Sequence, residues 1–158
     1  MDYYFLEGLN YMTLSTIIQY PVGQGGFHFG FIANGDIAYI YDCGDYEKSK
    51  ISDYIDEVVT KLANTQKVHI FISHLHKDHC NHLEELLRKL NNKKVHLIFP
   101  YMTFEEKVLA LIKSNPNLQY SDSNLQDNDI KLFLDTKTYF TKKRIYVYSI
   151  CEEERFIC

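Results

Sequence analysis

The stretch Ser73-His74-Leu75-His76-Lys77-Asp78-His79 contains three histidines and one aspartate. It follows the run 68–72 (VHIFI), which is short, apolar and β-branched, as is typical of a buried strand. It precedes a stripe of leucines with helical spacing. Because open α/β sheets place their functional sites in loops at the carboxyl ends of strands, this stretch indicates both the fold class and the position of a candidate site.

The residue types in this loop favour metal binding. Imidazole nitrogens and carboxylate oxygens are good ligands for zinc and similar divalent ions. His74 and His76 are two residues apart, so in an extended loop they can face the same side and chelate one ion. Asp78 and His79 follow where the loop turns into a helix, and they could serve a second ion. The alternative is a polar loop whose histidines cap the helix or face solvent.

The residues before this loop predict three strands and one helix. The β-rich segments 13–20 and 27–33 are separated by a glycine-rich turn, and the Asn34-Gly35 hairpin signal leads from the second to a strand over 37–41. Apolar residues between Ile51 and Leu62 follow helical spacing. This part of the chain is therefore a β-meander followed by an amphipathic helix.

The residues after the loop alternate between helix and strand. Asn81 is expected to cap the leucine-rich helix, with Glu84 as its reciprocal partner. The further predicted elements are a helix over 83–90, a strand over 95–99 that stops at Pro100, a helix that begins at the Thr103–Glu106 capping box and ends at Pro116, a helix over 123–134 and a strand over 144–150. This order predicts an α/β (α+β) fold, with a mixed sheet and helices packed on it, in a single domain over residues 1–158.

Composition excludes several classes of protein. The 158 residues are 46% hydrophobic and 24% charged, which are ordinary values for a globular domain. The net charge of −4 argues against a broad basic surface, although not against a nucleotide bound at a local site. The four cysteines form no C-x-x-C pair, and the N-terminus lacks the pattern of a signal peptide. No apolar run approaches membrane-spanning length, so we expect a cytoplasmic protein without membrane contact.

The histidine loop resembles the H-x-H-x-D-H hallmark of the metallo-β-lactamase superfamily, which is matched here by His74, His76, Asp78 and His79. The resemblance implies the N-terminal portion of an αββα sandwich that binds one or two Zn²⁺ ions or other divalent ions. It implies that His74 and His76 hold the first ion, that Asp78 and His79 hold the second, and that Asp78 also orients the nucleophile.

Two further segments are similar to the same family. The segment 40–44 (IYDCG) looks like the strand-ending Asp-x-Gly of that family, which makes Asp42 the acid that braces the metal loop. The segment 22–25 (VGQG) is similar to a turn in the metallohydrolase domain of bacterial competence DNA-uptake channels and related cytoplasmic proteins. This similarity implies that Gly23, Gln24 and Gly25 form a substrate loop, and it favours a phosphodiester substrate.

Members of that family bring a further His, a bridging Asp and a last His from later in the chain. After His79, this sequence has only His82, at the edge of the site or in solvent, and His96, in a strand. Three explanations stay open: a C-terminally truncated enzyme, which we favour, a naturally shortened member whose site holds one metal or is completed by a partner, or a degenerate member. A truncated chain would expose one face of its sheet, through which we expect it to self-associate.

Two functions follow as expectations. The first is a metal-dependent hydrolase that uses a metal-activated water, with a nucleotide, nucleic acid or other small molecule as substrate. The alternative is a non-catalytic or degenerate metal-binding or interaction module of the same fold. The small number of later ligands favours the module, whereas the near absence of cysteine from the loop argues against a structural zinc site.

Overall fold

The computed structural model describes residues 16–32, 36–46, 50–114 and 145–150. Within them, six strands form one sheet in the order β1-β2-β3-β4-β5-β6. The strands are β1 (Thr16–Gln19), β2 (Gly25–Ile32), β3 (Ile37–Asp45), β4 (Lys67–Phe71), β5 (Lys94–Pro100) and β6 (Tyr146–Ile150). The first three strands are antiparallel, and β3 to β6 run parallel. The mixed α/β fold that the sequence predicts is confirmed.

Helices connect the parallel strands, as the alternating pattern predicts. They are α1 (Ile51–Lys61), α2 (Lys77–Cys80), α3 (Leu83–Lys89) and α4 (Phe104–Ser114). The capping box of α4 is confirmed, because Thr103 N donates to Glu106 Oε2 at 2.8 Å and Glu106 N donates to Thr103 Oγ1 at 3.3 Å. Of the described helices, none combines the length and the apolar character needed to cross a membrane.

The structure differs from the sequence predictions at three points. The expected cap of α3 by Asn81 is wrong, because His82 is the N-cap residue and the Asn81 side chain binds the backbone of Asp45 instead. Strand β3 continues past residue 41 to Asp45. The short helix α2 was not anticipated. The predicted helix over 123–134, the Asn34-Gly35 turn and Pro116 lie outside the described residues.

The core lies between one face of the sheet and the helices. Period-2 alternation in the central strands turns every second side chain to this face, where Ile40, Ile70 and Leu97 are fully buried. Ile55 of α1 and Leu86 of α3 are also fully buried and belong to the same cluster. The packing fixes the strands in register, so it also fixes the edge at which the parallel strands end.

The opposite face, which we call the outer face, carries aromatic and histidine side chains. Tyr39, His69, His96 and Tyr146 are register partners across β3 to β6. Large hydrophobic side chains on this face are exposed, among them Ile17, Ile32, Tyr41, Tyr146, Tyr148 and Ile150. Among the described residues, no helix covers these side chains.

Candidate metal centre

The predicted ligand loop lies at the carboxyl edge of the parallel strands. Tyr41 of β3 and Phe71 of β4 are the last register partners of these two strands, so Asp42 lies beside the residues that follow Phe71. The loop runs from Ile72 to His76, where α2 begins. The sequence therefore places a carboxylate and three imidazoles at one edge because two parallel strands end there.

Asp42 is buried and lies at the centre of this arrangement. Its side chain accepts three hydrogen bonds: from Ser73 N to Oδ1 at 2.7 Å, from Ser73 Oγ to Oδ2 at 2.8 Å, and from His79 Nδ1 to Oδ2 at 2.8 Å. Its φ of 57° is in the left-handed region, which Asp tolerates better than most residues. A strained residue that holds a loop in this way is typical of a functional site. The bracing position that the family resemblance implies for Asp42 agrees with these contacts.

The donors and acceptors in this network fix the protonation of two histidines. A carboxylate only accepts, so His79 carries its proton on Nδ1 and leaves Nε2 as the basic nitrogen. The Ser73 hydroxyl donates to Asp42, so the Ser73 oxygen accepts at 2.9 Å from Nδ1 of His74. His74 is therefore also left with a basic Nε2. A carboxylate that orients an imidazole through Nδ1 is the arrangement that metal-binding histidines use.

The four predicted ligands lie together. The ring centroids of His74 and His76 are 4.6 Å apart, and those of His74 and His79 are 4.0 Å apart. Nε2 of His79 lies 3.7 Å from Oδ2 of Asp78. His74 and His76 thus face the same side of the loop, as their spacing predicts.

Their arrangement does not match a metal-bound geometry. Within the described ranges, no group of three or more His, Cys, Asp or Glu side chains is arranged so that it could hold a metal ion. Zn–N bonds of about 2.0–2.1 Å in a tetrahedral site place two ring centroids about 5 Å apart. The His74 ring is closer than that to both of its neighbours. The donor types and their protonation fit an ion, but the rings must separate to bind it, and the metal-binding role stays a prediction.

The surroundings of His74 lower its pKa and so favour its neutral form. Partial burial lowers the pKa of His74 below its ordinary value of 6.5, and the positive charge that His79 and His76 would carry lowers it further. The nearby carboxylates of Asp42 and Asp78 oppose this shift without overcoming it. A neutral imidazole offers the lone pair that a metal requires.

Glycines allow β2 and β3 to pack directly against the loop. A Cβ on Gly44 would lie 2.6 Å from the carbonyl carbon of Asp78 and 2.7 Å from Cys80 N. A Cβ on Gly25, where φ is 143°, would lie 2.6 Å from Asp78 O. A Cβ on Gly26 would lie 2.9 Å from Asp42 Oδ2. The glycines of the Asp-x-Gly segment and of the start of β2 thus have a steric role that sequence spacing alone does not show.

The predicted substrate loop lies beside the same site. Gly25 contacts the backbone of Asp78, as described above, whereas Gly23 has φ 70° and open space around its α-carbon. Gln24 is exposed, and its carbonyl accepts from Tyr46 N at 2.8 Å. The turn is therefore placed next to the ligands, and its contact with a substrate stays a prediction.

His82 has contacts that the sequence did not predict. Its Nε2 lies 3.1 Å from Asp45 Oδ1, and its Nδ1 lies 3.3 Å from Glu85 Oε2. Neither solvent nor the ligand cluster is its main environment. Asp45 comes three residues after Asp42 and is also buried, and that spacing of two acids at a strand end is the signal that could have indicated a second contact point.

The remaining histidines lie on the outer face and not in the site. The rings of His69 and His96 stack with centroids 4.9 Å apart, and His96 Nδ1 lies 3.0 Å from the Tyr148 hydroxyl. His28 packs edge-on against Tyr41 at 6.1 Å. These contacts agree with the structural roles that the strand positions indicate.

Comparison with models of known protein families finds no match for this chain. A search of curated proteins finds no significantly similar sequence either. The case for a function therefore depends on the residues of the site.

Proposed function

We propose that this chain is a metal-dependent hydrolase of metallo-β-lactamase type, with zinc as the favoured ion and a phosphodiester of a nucleotide or nucleic acid as the favoured substrate. The observation that carries the proposal is the network centred on Asp42, which leaves Nε2 of His74 and of His79 as basic nitrogens. The type of hydrolase that we propose comes from the motif similarity described above.

The proposed roles of these residues are those that the family resemblance implies. His74 and His76, whose ring centroids are 4.6 Å apart, would hold one ion, and Asp78 with His79 would hold a second. A bound zinc ion would lower the pKa of a water molecule to about 7 and so make a nucleophile available at neutral pH. Asp42 holds His79 and the Ser73 backbone in place from beneath. Asp78 is only partly buried, so its carboxylate can reach a substrate and orient the attacking group.

The phosphodiester preference comes from the turn at 22–25. This turn contacts Asp78 through Gly25, and the neighbouring Gln24 is exposed. A glycine-rich turn lets a phosphate approach the backbone closely. We also propose that the chain acts in the cytoplasm and that its substrate is not part of a membrane.

The experiment is metal loading followed by assay. The purified chain is freed of metal, titrated with Zn²⁺, and assayed with bis(p-nitrophenyl) phosphate and with a chromogenic lactam, beside His76→Ala and Asp78→Ala variants. Zinc binding that His76→Ala weakens, with phosphodiester cleavage that Asp78→Ala abolishes, supports the hydrolase. A chain that binds no zinc at micromolar concentration contradicts it.

The second candidate is a metal-binding module without turnover. The geometry that favours it is the close packing of the His74 ring against its neighbours, which does not match a metal-bound site. Tight zinc binding without measurable cleavage of either substrate would favour this candidate over the hydrolase.

A further inference from the structure

Four contacts join the end of β3 to the residues that follow α2. Asp45 N donates to Asn81 Oδ1 at 3.1 Å, and Asn81 Nδ2 donates to Asp45 O at 2.8 Å. His82 N donates to Cys43 O at 3.1 Å, and His82 Nε2 lies 3.1 Å from Asp45 Oδ1. We call these four residues, Cys43, Asp45, Asn81 and His82, the β3–α2 latch.

The β3–α2 latch includes residues of the same helical turn that carries the predicted ligands. Asn81 follows His79 by two residues, and Asn81 N donates to Lys77 O at 2.9 Å, so it belongs to the same helical turn. On the strand, Gly44 lies against the backbone of Asp78. Strand β3 therefore holds the ligand turn at two points: Asp42 binds His79 before Gly44, and Asp45 binds Asn81 after it.

The side chain of Asn81 is used for this contact instead of for a helix cap. The α3 helix begins without a side-chain cap hydrogen bond, although Asn81 precedes it and is a good capping residue. The Asn81 amide pairs with both the N–H and the carbonyl of Asp45, which requires one donor and one acceptor in a fixed orientation. The Asn81 side chain is therefore committed to Asp45 and fixes the turn that carries Asp78 and His79.

We propose that Asn81 is a positioning residue: through Asp45 it holds α2 at the distance from β3 at which His79 keeps its hydrogen bond to Asp42 and presents Nε2. The part that concerns metal affinity rests on the proposed function. The part that concerns which nitrogen of the His79 ring carries the proton does not, because it depends only on contacts within the chain.

The test compares Asn81→Ala with a control that removes similar bonds elsewhere. Lys93 Nζ donates to Leu62 O and to Ala63 O, both at 2.9 Å, and so also ties two turns together by two hydrogen bonds to the backbone. Lys93→Ala removes that tie beside the amino end of β5, away from the ligand edge. Each variant is compared with the wild type by thermal unfolding, by zinc affinity in competition with a chelator, and by ¹⁵N NMR of the imidazole nitrogens in the metal-free protein.

We expect both variants to unfold at a lower temperature and only Asn81→Ala to change the site. In the wild type and in Lys93→Ala, the ¹⁵N shifts should show His79 protonated on Nδ1, whereas Asn81→Ala should show a mixture of tautomers. Zinc affinity should fall 10- to 100-fold in Asn81→Ala, the usual effect of losing a residue that orients a ligand, and should be unchanged in Lys93→Ala.

The outcomes separate this proposal from the proposed function. An Asn81→Ala variant whose His79 keeps the wild-type tautomer would overturn the positioning role, whatever its effect on unfolding temperature. A wild type that binds no zinc, together with a tautomer change in Asn81→Ala, would overturn the hydrolase while supporting the role of Asn81.

Discussion

Oδ2 of Asp42 lies 2.8 Å from Nδ1 of His79, although 37 positions separate the two residues in the chain. The contact joins a strained residue near the carboxyl end of β3 to the helical turn that follows β4. Asp42 also accepts hydrogen bonds from the backbone N–H and from the side-chain hydroxyl of Ser73. One buried carboxylate therefore fixes both ends of the loop that carries the candidate ligands. The geometry of the site thus depends on a residue outside the histidine motif.

Replacing Asp42 by Asn should weaken metal binding more than it weakens the fold. Asn has the same shape and also tolerates a left-handed backbone, so the substitution isolates the loss of charge and of one acceptor. The amide NH₂ would face a ring N–H or a hydroxyl that donates in the wild type. We expect zinc affinity to fall 10- to 100-fold, measured by chelator competition. Unchanged affinity would show that Asp42 does not orient the ligands.

Zinc should bind at one site more tightly than at a second. His74 and His76 supply two close imidazoles for the first ion, whereas Asp78 and His79 supply one imidazole and one carboxylate for the second. His76→Ala should remove most of the tight binding and leave the weak binding. The measurement is isothermal titration of the metal-free chain with Zn²⁺. Two ions bound with equal affinity would contradict this order.

Gly44→Ala should displace the ligand turn. The new Cβ would lie 2.6 Å from the Asp78 carbonyl carbon, and backbone atoms cannot move aside as the end of a flexible side chain can. We expect lower zinc affinity and a lower unfolding temperature. Gly30→Ala is the control, because its Cβ would meet Thr16 O at 2.4 Å on the edge strand, away from the loop. The control should lose stability and keep its zinc affinity, and equal losses of affinity in both variants would contradict the steric argument.

The sequence predicts the elements well because hydrophobic periodicity is a local signal. The strand 68–72 and the leucine stripe from Leu83 to Leu90 are confirmed to within one or two residues. The grouping of His74 with His76 was predictable, because residues two apart in an extended loop lie on the same side of the chain. Each of these predictions uses only neighbours in the sequence.

What the sequence did not predict depends on contacts between distant segments. Asn81 precedes a helix and has the chemistry of a cap, yet its amide pairs with Asp45, which arrives from β3. The steric role of Gly44 likewise exists only because Asp78 packs on it. At these positions, which lie next to the candidate ligands, tertiary contacts override the structure that the local sequence favours.

Stability should fall as the pH drops below about 6.5, partly through His96. Burial lowers the pKa of His96 below its ordinary value of 6.5, and the charges of His69, Lys94 and Lys67 lower it further. The unfolded chain therefore takes up this proton at a higher pH than the folded chain does, so falling pH favours unfolding from about 6.5 down to the folded pKa. His96→Gln should show a shallower loss of unfolding temperature between pH 7 and pH 5. An identical slope in both proteins would contradict this assignment.

The purified chain should self-associate through the outer face of the sheet. Tyr146 and Tyr148 of β6 are 51% and 36% exposed, and Tyr41 of β3 is 44% exposed, so large aromatic surfaces face solvent on the same face of the sheet. Burial of such surface is favourable by about 25 cal/mol per Å² of apolar area. Sedimentation velocity over a range of concentrations should show dimers or larger species, and a Tyr146→Ser, Tyr148→Ser double variant should shift them toward monomer. Phe104→Ser, which removes an exposed aromatic ring from α4, is the control and should leave the association unchanged. A chain that stays monomeric at high micromolar concentration would show that this face does not associate.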